Sequence, residues 1–141
     1  MTTQKSGLTT LLLVIALTAA AQQPKILATP GQQEWNYAQA YRSGNLLYQS
    51  GVPAAGPMDS AINKVYRNLE GTLKKYGLDF SHVVKENLYS TDLDAVAKFK
   101  GERAKFYGQH TPAATWAEVR RLLAPTAILE VEIVAEIVKT P

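Results

Sequence analysis

The last regular segment of the chain has the pattern that most restricts its fold. Between residues 128 and 138, apolar positions alternate with mostly acidic ones: Leu129, Val131, Ile133, Ala135 and Ile137 alternate with Glu130, Glu132, Val134 and Glu136. Side chains of a β-strand point to opposite faces with a period of two. The segment is therefore predicted to be a strand whose odd positions pack on a core and whose even positions face away from it.

The middle of the chain has the spacing of helices. From Asp59 to Tyr76 the apolar residues recur every three or four positions, and Gly77 follows where a C-terminal cap is expected. A second helix is predicted from Leu93 to Tyr107, and Gly108 ends it. Its predicted buried side chains are Val96, Phe99, Phe106 and Tyr107.

The remaining segments predict strands and turns. A β-hairpin is predicted over residues 34–51, with its turn at Ser43-Gly44-Asn45, and a loop over residues 51–57. Further strands are predicted over residues 83–89 and 115–121. The order β-β-α-β-α-β-β favours an α+β fold in which a single sheet carries two helices on one face.

The strand at residues 115–121 is predicted to show the same parity as the last one. Thr115, Ala117 and Val119 would then lie under the helices, while Ala114, Trp116 and Glu118 would face away. An exposed tryptophan beside carboxylates is unusual on a solvated sheet face. The pattern therefore predicts that another subunit covers this face.

The N-terminus has the layout of a signal peptide. Lys5 precedes an uncharged run from Leu8 to Ala19, and Ala19-Ala20-Ala21 fits the small-residue cleavage rule. We therefore predict a signal peptide at residues 1–21, a flexible mature N-terminus at 22–33 and one domain at 34–141. The expected location is periplasmic or secreted, without membrane association after cleavage. The alternative, a membrane anchor, would need a run of about 18 or more apolar residues, and this run is shorter.

Composition excludes several kinds of chemistry. The chain has no cysteine, and its two histidines, His82 and His110, lie far apart, so neither thiol chemistry nor a spaced metal site is predicted. The net charge is +3, and loss of Lys5 with the signal peptide would leave +2. The basic residues are scattered, so no nucleic-acid partner is predicted.

Five stretches in order resemble the reactive intermediate deaminase (Rid, RidA/YjgF-like) family. They include residues 37–51, the helix ending in Gly77-Leu78, Val83-Val84-Lys85 with the following Asp92-Leu93, and the last two strands. The resemblance covers roughly residues 34–138. It implies a chorismate-mutase-like fold of the bacillary type and a homotrimer with a small-molecule pocket at each subunit interface. It also implies hydrolysis of enamines and imines without any cofactor.

The resemblance also assigns residues to the implied pocket. Glu130 matches the family's catalytic glutamate, and the substrate-binding positions correspond to Tyr37, Ser50, Gly51, Lys100, Ala114, Thr115 and Trp116. The departure is Ala114, which stands where the family's deaminase branch has the arginine that binds the substrate carboxylate. Trp116 replaces a small pocket residue.

Four functions follow from these observations. The preferred prediction is a protein that binds or acts on a small metabolite, with weak or no hydrolysis of 2-imino acids. The alternative is a genuine 2-iminobutanoate and 2-iminopropanoate deaminase. An endoribonuclease-type protein and a structural or chaperone-like trimer are more distant alternatives.

Overall fold

The computed structural model describes residues 23–138, so the signal peptide predicted at residues 1–21 lies outside the described part of the chain. The elements in chain order are β1 (Ile26–Leu27), α1 (Pro30–Glu34), β2 (Ala40–Ser43), β3 (Leu46–Ala54), α2 (Met58–Lys75), β4 (Val83–Ser90), α3 (Leu93–Lys98), α4 (Lys100–Tyr107), β5 (Ala113–Glu118) and β6 (Leu129–Glu136). The 3-10 turn Phe80–His82 leads into β4. Within residues 23–138, no helix is both long and apolar enough to cross a membrane.

The strands form one sheet in the order β1-β2-β3-β6-β4-β5. Neighbouring strands are antiparallel, except that β4 and β5 run parallel. The core lies between one face of this sheet and the helices. This arrangement is the α+β, chorismate-mutase-like architecture that the sequence predicts.

The strongest sequence patterns correspond to the core. Leu129, Val131 and Ile133 of β6 are buried, whereas Glu130 and Glu132 are partly exposed on the opposite face. Helix α2 buries the side predicted from its spacing. Its buried apolar residues include Ile62, Val65, Tyr66, Leu69 and Leu73. Both predictions are confirmed.

Several predicted segments differ from the structure, among them the strand predicted over residues 115–121, which is Ala113–Glu118. Residues 51–54 belong to β3 instead of a loop, because β6 pairs with β3 as far as Ala54. The first hairpin strand begins only at Ala40, which leaves Trp35 and Tyr37 outside it. The second helix is interrupted at Phe99, where α3 ends and α4 begins.

The segment predicted as a flexible mature N-terminus, residues 22–33, contains strand β1 and most of helix α1. Thr29 and Gln32 form a reciprocal capping box that starts α1, with Pro30 in its first turn. The backbone N–H of Arg42 donates to the Lys25 carbonyl, which holds β1 beside β2. The cap is a local signal, but the β1 pairing depends on β2, which lies beyond α1 in the chain.

The predicted facing of β5 is wrong as well. Its register with β4 places Ala114 beside Glu86 and Trp116 beside Leu88, and both β4 residues are buried under the helices. Ala114 and Trp116 therefore face the helix side of the sheet. Thr115 lies on the opposite face, where its hydroxyl accepts a hydrogen bond from Lys85 Nζ at 2.8 Å. Since Trp116 faces the helices, it gives no argument for a covering subunit.

Candidate functional site

Part of the predicted site gathers at an irregularity in β3. The pairing of β3 with β6 shifts register between Gln49 and Val52, so Ser50 and Gly51 bulge out of the ladder. Ser50 Oγ donates to the Ala38 carbonyl at 2.6 Å, which ties the segment after Tyr37 to the bulge. Tyr37, Ser50 and Gly51 line a small open cavity of about 170 Å³.

Glu130 lies against the same bulge. A Cβ atom added at Gly51 would overlap the Glu130 carboxylate, so only glycine leaves room for this side chain in its present position. Burial, and secondarily the neighbouring Glu132, raise the pKa of Glu130 above its ordinary value. The structure therefore places Tyr37, Ser50, Gly51 and Glu130 around the same bulge.

The raised pKa of Glu130 has a consequence for stability. A carboxyl group whose pKa is higher in the folded than in the unfolded state destabilises the fold as pH rises through the two values. We expect Glu130→Gln to unfold at a higher temperature than wild type at pH 7. The difference should disappear near pH 4, where the side chain at position 130 is neutral in both proteins. Calorimetry at the two pH values measures this, and Glu34→Gln at an exposed position is the control. A variant less stable than wild type at pH 7 would contradict the expectation.

The other predicted site residues lie elsewhere in the protomer. Lys100 is the exposed first residue of α4, and Ala114 and Thr115 are exposed on β5 at the edge of the sheet. Strands β6 and β4 separate β5 from the bulge in β3. Three strand spacings amount to about 14 Å. One protomer therefore does not bring the two groups of predicted residues together.

A polar centre that the sequence analysis missed lies under the helices. Glu86 is fully buried, and its carboxylate accepts hydrogen bonds from Tyr66 Oη at 2.9 Å and Tyr107 Oη at 2.7 Å. Trp116 Nε1 donates to it at 3.1 Å, and Arg103 Nε donates to its two oxygens at 2.9 and 3.2 Å. A buried carboxylate is tolerated only with such a set of donors.

Aromatic rings hold the arginine of this Glu86 centre. The guanidinium carbon of Arg103 lies 4.3 Å from the ring centroid of Tyr107 and 5.6 Å from that of Trp116. Burial, followed by the charge of Glu86, raises the pKa of both Tyr66 and Tyr107, so both remain neutral donors. One signal for this centre was present in the sequence. Glu86 lies two residues before Leu88 in β4, so both side chains point to the same buried face.

Comparison with known proteins identifies the family. The family model described as "Endoribonuclease L-PSP" matches residues 29–137. The chain belongs to this family, the YjgF/Rid family. A RutC family protein of Pyrococcus horikoshii is 29% identical over 108 residues, which are 70% of this chain and 85% of the relative. Reactive Intermediate Deaminase A, chloroplastic, of Arabidopsis thaliana is 30% identical over 108 residues, 70% of this chain and 57% of that protein.

Solved structures of YjgF/Rid proteins share the fold. A YjgF family member from Neisseria meningitidis has a TM-score of 0.71 at 25% identity, covering 82% of this chain and 95% of the other. A member of the YjgF/YER057c/UK114 family from Mycobacterium tuberculosis has a TM-score of 0.72 at 24% identity, covering 79% of this chain and 97% of the other. The predicted family membership and fold are both confirmed.

Proposed function

We propose that this YjgF/Rid protein is exported, assembles as a homotrimer and binds a small metabolite in pockets between its subunits, with weak or no hydrolysis of 2-imino acids. The observation that carries the proposal is the separation of the two site groups. Tyr37, Gly51 and Glu130 surround the β3 bulge, whereas Ala114 lies three strands away. A second copy that places its β5 edge over the bulge would complete the pocket.

An apolar row on the uncovered sheet face supports assembly. Ile26, Tyr41, Tyr48 and Val134 are neighbours across β1, β2, β3 and β6. Ile26, Tyr41 and Tyr48 are 52%, 40% and 45% exposed in the single chain. A continuous apolar row of this kind is typical of a surface that another subunit covers.

Ala114 is the reason for proposing weak hydrolysis. An arginine binds a carboxylate through two parallel charge-assisted hydrogen bonds, whereas the methyl side chain of Ala114 can form none. The alternative is a genuine imine deaminase that positions its substrate by other groups. It is favoured by the similarity to the Arabidopsis protein named Reactive Intermediate Deaminase A. The proposed ligand site uses neither a metal nor an organic cofactor.

The assembly can be tested through the exposed sheet face. We expect light scattering on the wild-type protein to give three times the chain mass. Tyr48→Arg should shift the mass toward a monomer, because it places a charge in the middle of the apolar row. Leu123→Arg, at a position that is 79% exposed in a loop outside the sheet, is the matched control and should leave the trimer intact. A monomeric wild type at micromolar concentration would contradict the proposal.

Export can be tested independently of assembly. We expect the full-length chain, expressed in a Gram-negative host, to appear in the periplasm with Gln22 as its first residue. The reason is the order of Lys5, the apolar run and Ala19-Ala20-Ala21. Mass spectrometry of the periplasmic fraction measures the new N-terminus. Uncleaved chain in the membrane fraction would favour the anchor instead.

A further inference from the structure

A hollow on the uncovered sheet face lies where β6 is irregularly paired on both sides. The register of β6 shifts against β3 between Gln49 and Val52, and against β4 between Val83 and Lys85. Bulges of this kind re-aim side chains and are common beside binding sites. The hollow has a volume of about 350 Å³, which is the size of a small-molecule site. Residues of all three strands line it, among them Tyr48, Lys85, Asn87, Glu132 and Val134. Of the described residues, Ser50 alone also lines the cavity at the β3 bulge.

Two opposite charges line this hollow without pairing with each other. Lys85 and Glu132 are both half-buried, yet within residues 23–138 neither takes part in an ion pair. The register places Glu132 beside Asn87, so Lys85 is the diagonal neighbour of Glu132. Diagonal neighbours on one sheet face are about 7–8 Å apart. The hollow therefore presents a cation and an anion as separate groups.

Each of the two charged groups is held in place by neutral partners. Lys85 Nζ donates to Thr115 Oγ1 at 2.8 Å, which uses one of its three N–H donors. Glu132 Oε1 accepts hydrogen bonds from Asn87 Nδ2 at 2.7 Å and from Tyr89 Oη at 3.3 Å. Within residues 23–138 these bonds all end on Oε1, and none ends on Oε2. The ammonium and the carboxylate are thus positioned, and each keeps hydrogen-bonding capacity for a ligand.

The proposed assembly increases the need to neutralise both charges. Tyr48 and Val134 line the hollow and also belong to the apolar row that a second copy would cover. Covering this row would take Lys85 and Glu132 out of water as well. A charge removed from water is costly unless an opposite charge pairs with it. A zwitterion neutralises both side chains with one molecule and adds no net charge.

We propose that this hollow is a second ligand site, separate from the pocket at the β3 bulge, and that it binds a free α-amino acid with an apolar side chain. The ligand's carboxylate binds Lys85, and its ammonium binds Glu132 Oε2. Its side chain lies against Tyr48 and Val134. A monocarboxylate or an amine satisfies only one of the two charged groups. The competing explanation is that side chains of a neighbouring copy fill the hollow in the assembly.

The test compares three probes of similar shape and different charge on the purified protein. L-Valine carries both charged groups, isobutylamine lacks the carboxylate and isovalerate lacks the ammonium. We expect calorimetric titration to show L-valine binding at least about tenfold more tightly than either of the other two, a factor that corresponds to about 1.4 kcal/mol. Equal binding of the three probes, or no binding of L-valine, would overturn the inference.

Two variants test the charged groups one at a time. Lys85→Met should lower the affinity for L-valine to that for isobutylamine and leave isobutylamine binding unchanged. Glu132→Gln retains an oxygen that can accept from Asn87, and it should lower the affinity for L-valine to that for isovalerate. Lys98→Met, at an exposed position on α3, is the matched control and should not change L-valine binding. An equal loss of affinity for all three probes would indicate a purely structural role and contradict the proposal.

A measurement on the wild-type protein covers the case in which a variant fails to fold. The methyl resonances of Val134, which lines the hollow, should shift on addition of L-valine. Those of Val96, which is buried on α3, should stay in place. Unmoved Val134 resonances would refute the site.

The outcome is distinguishable from failure of the proposed function. Lys85, Glu132 and Tyr48 all belong to one protomer, so binding is measured whatever the oligomeric state. A monomer that binds L-valine would refute the proposed assembly and support this site. A trimer that binds no L-valine would refute this site alone, and the neighbouring copy would then be the occupant of the hollow.

Discussion

Replacing Glu86 with alanine is expected to lower the free energy of unfolding by about 3–5 kcal/mol, because breaking a buried ion pair leaves its partner uncompensated. Arg103 would keep its charge in a site that is 19% exposed. The hydroxyls of Tyr66 and Tyr107 would lose the carboxylate oxygen to which both donate. Urea denaturation followed by tyrosine and tryptophan fluorescence measures the effect.

Two further variants separate the ion pair from simple loss of a side chain. Glu86→Ala combined with Arg103→Met should be less destabilised than Glu86→Ala alone, since no lone charge remains in the core. Glu70→Ala removes one partner of the surface ion pair with Lys74 and should cost less than about 1 kcal/mol. A loss of less than about 1 kcal/mol for Glu86→Ala as well would mean that water replaces the carboxylate without penalty.

Those parts of the fold whose two faces differ in polarity could be predicted from the sequence. In β6 every second residue is apolar, and in α2 the apolar residues follow the helical period. The residue types alone therefore predict which side of each element is buried. Strand β5 lacks this signal, because Ala113, Ala114 and Ala117 are small on both faces and the strand is at the edge of the sheet. The face to which each β5 side chain points is set by the register of β5 with β4 and by the hydrogen bond that Trp116 Nε1 donates to Glu86.

The candidate site was predictable to the extent that it lies in local motifs. Ser50 and Gly51 follow one another in the chain, and Tyr37 lies close by, so the resemblance could place them. The Glu86 centre is different, because its members come from four elements, α2, β4, α4 and β5. They meet only after the helices pack on the sheet. A charged residue at an inward strand position is the one sign of such a centre that a sequence carries.

The other large effect expected is on catalysis. We expect the wild-type protein to hydrolyse 2-iminobutyrate at least about tenfold more slowly than an active RidA-like enzyme measured beside it. Losing one charge-assisted contact costs on the order of 1.5–3 kcal/mol, and about 1.4 kcal/mol already corresponds to a factor of ten in rate. Glu130 is retained beside Gly51, so a residual rate is consistent with the geometry.

Two arginine substitutions on β5 test whether the slow hydrolysis of 2-iminobutyrate is caused by the residue at position 114. Ala114→Arg should raise turnover of 2-iminobutyrate, though not to the level of the active enzyme, because Trp116 lies two residues along on the same face and occupies space beside it. Ala113→Arg places the same side chain on the opposite face of β5 and should leave turnover unchanged. Wild-type turnover equal to that of the active enzyme would show that another group already holds the carboxylate productively.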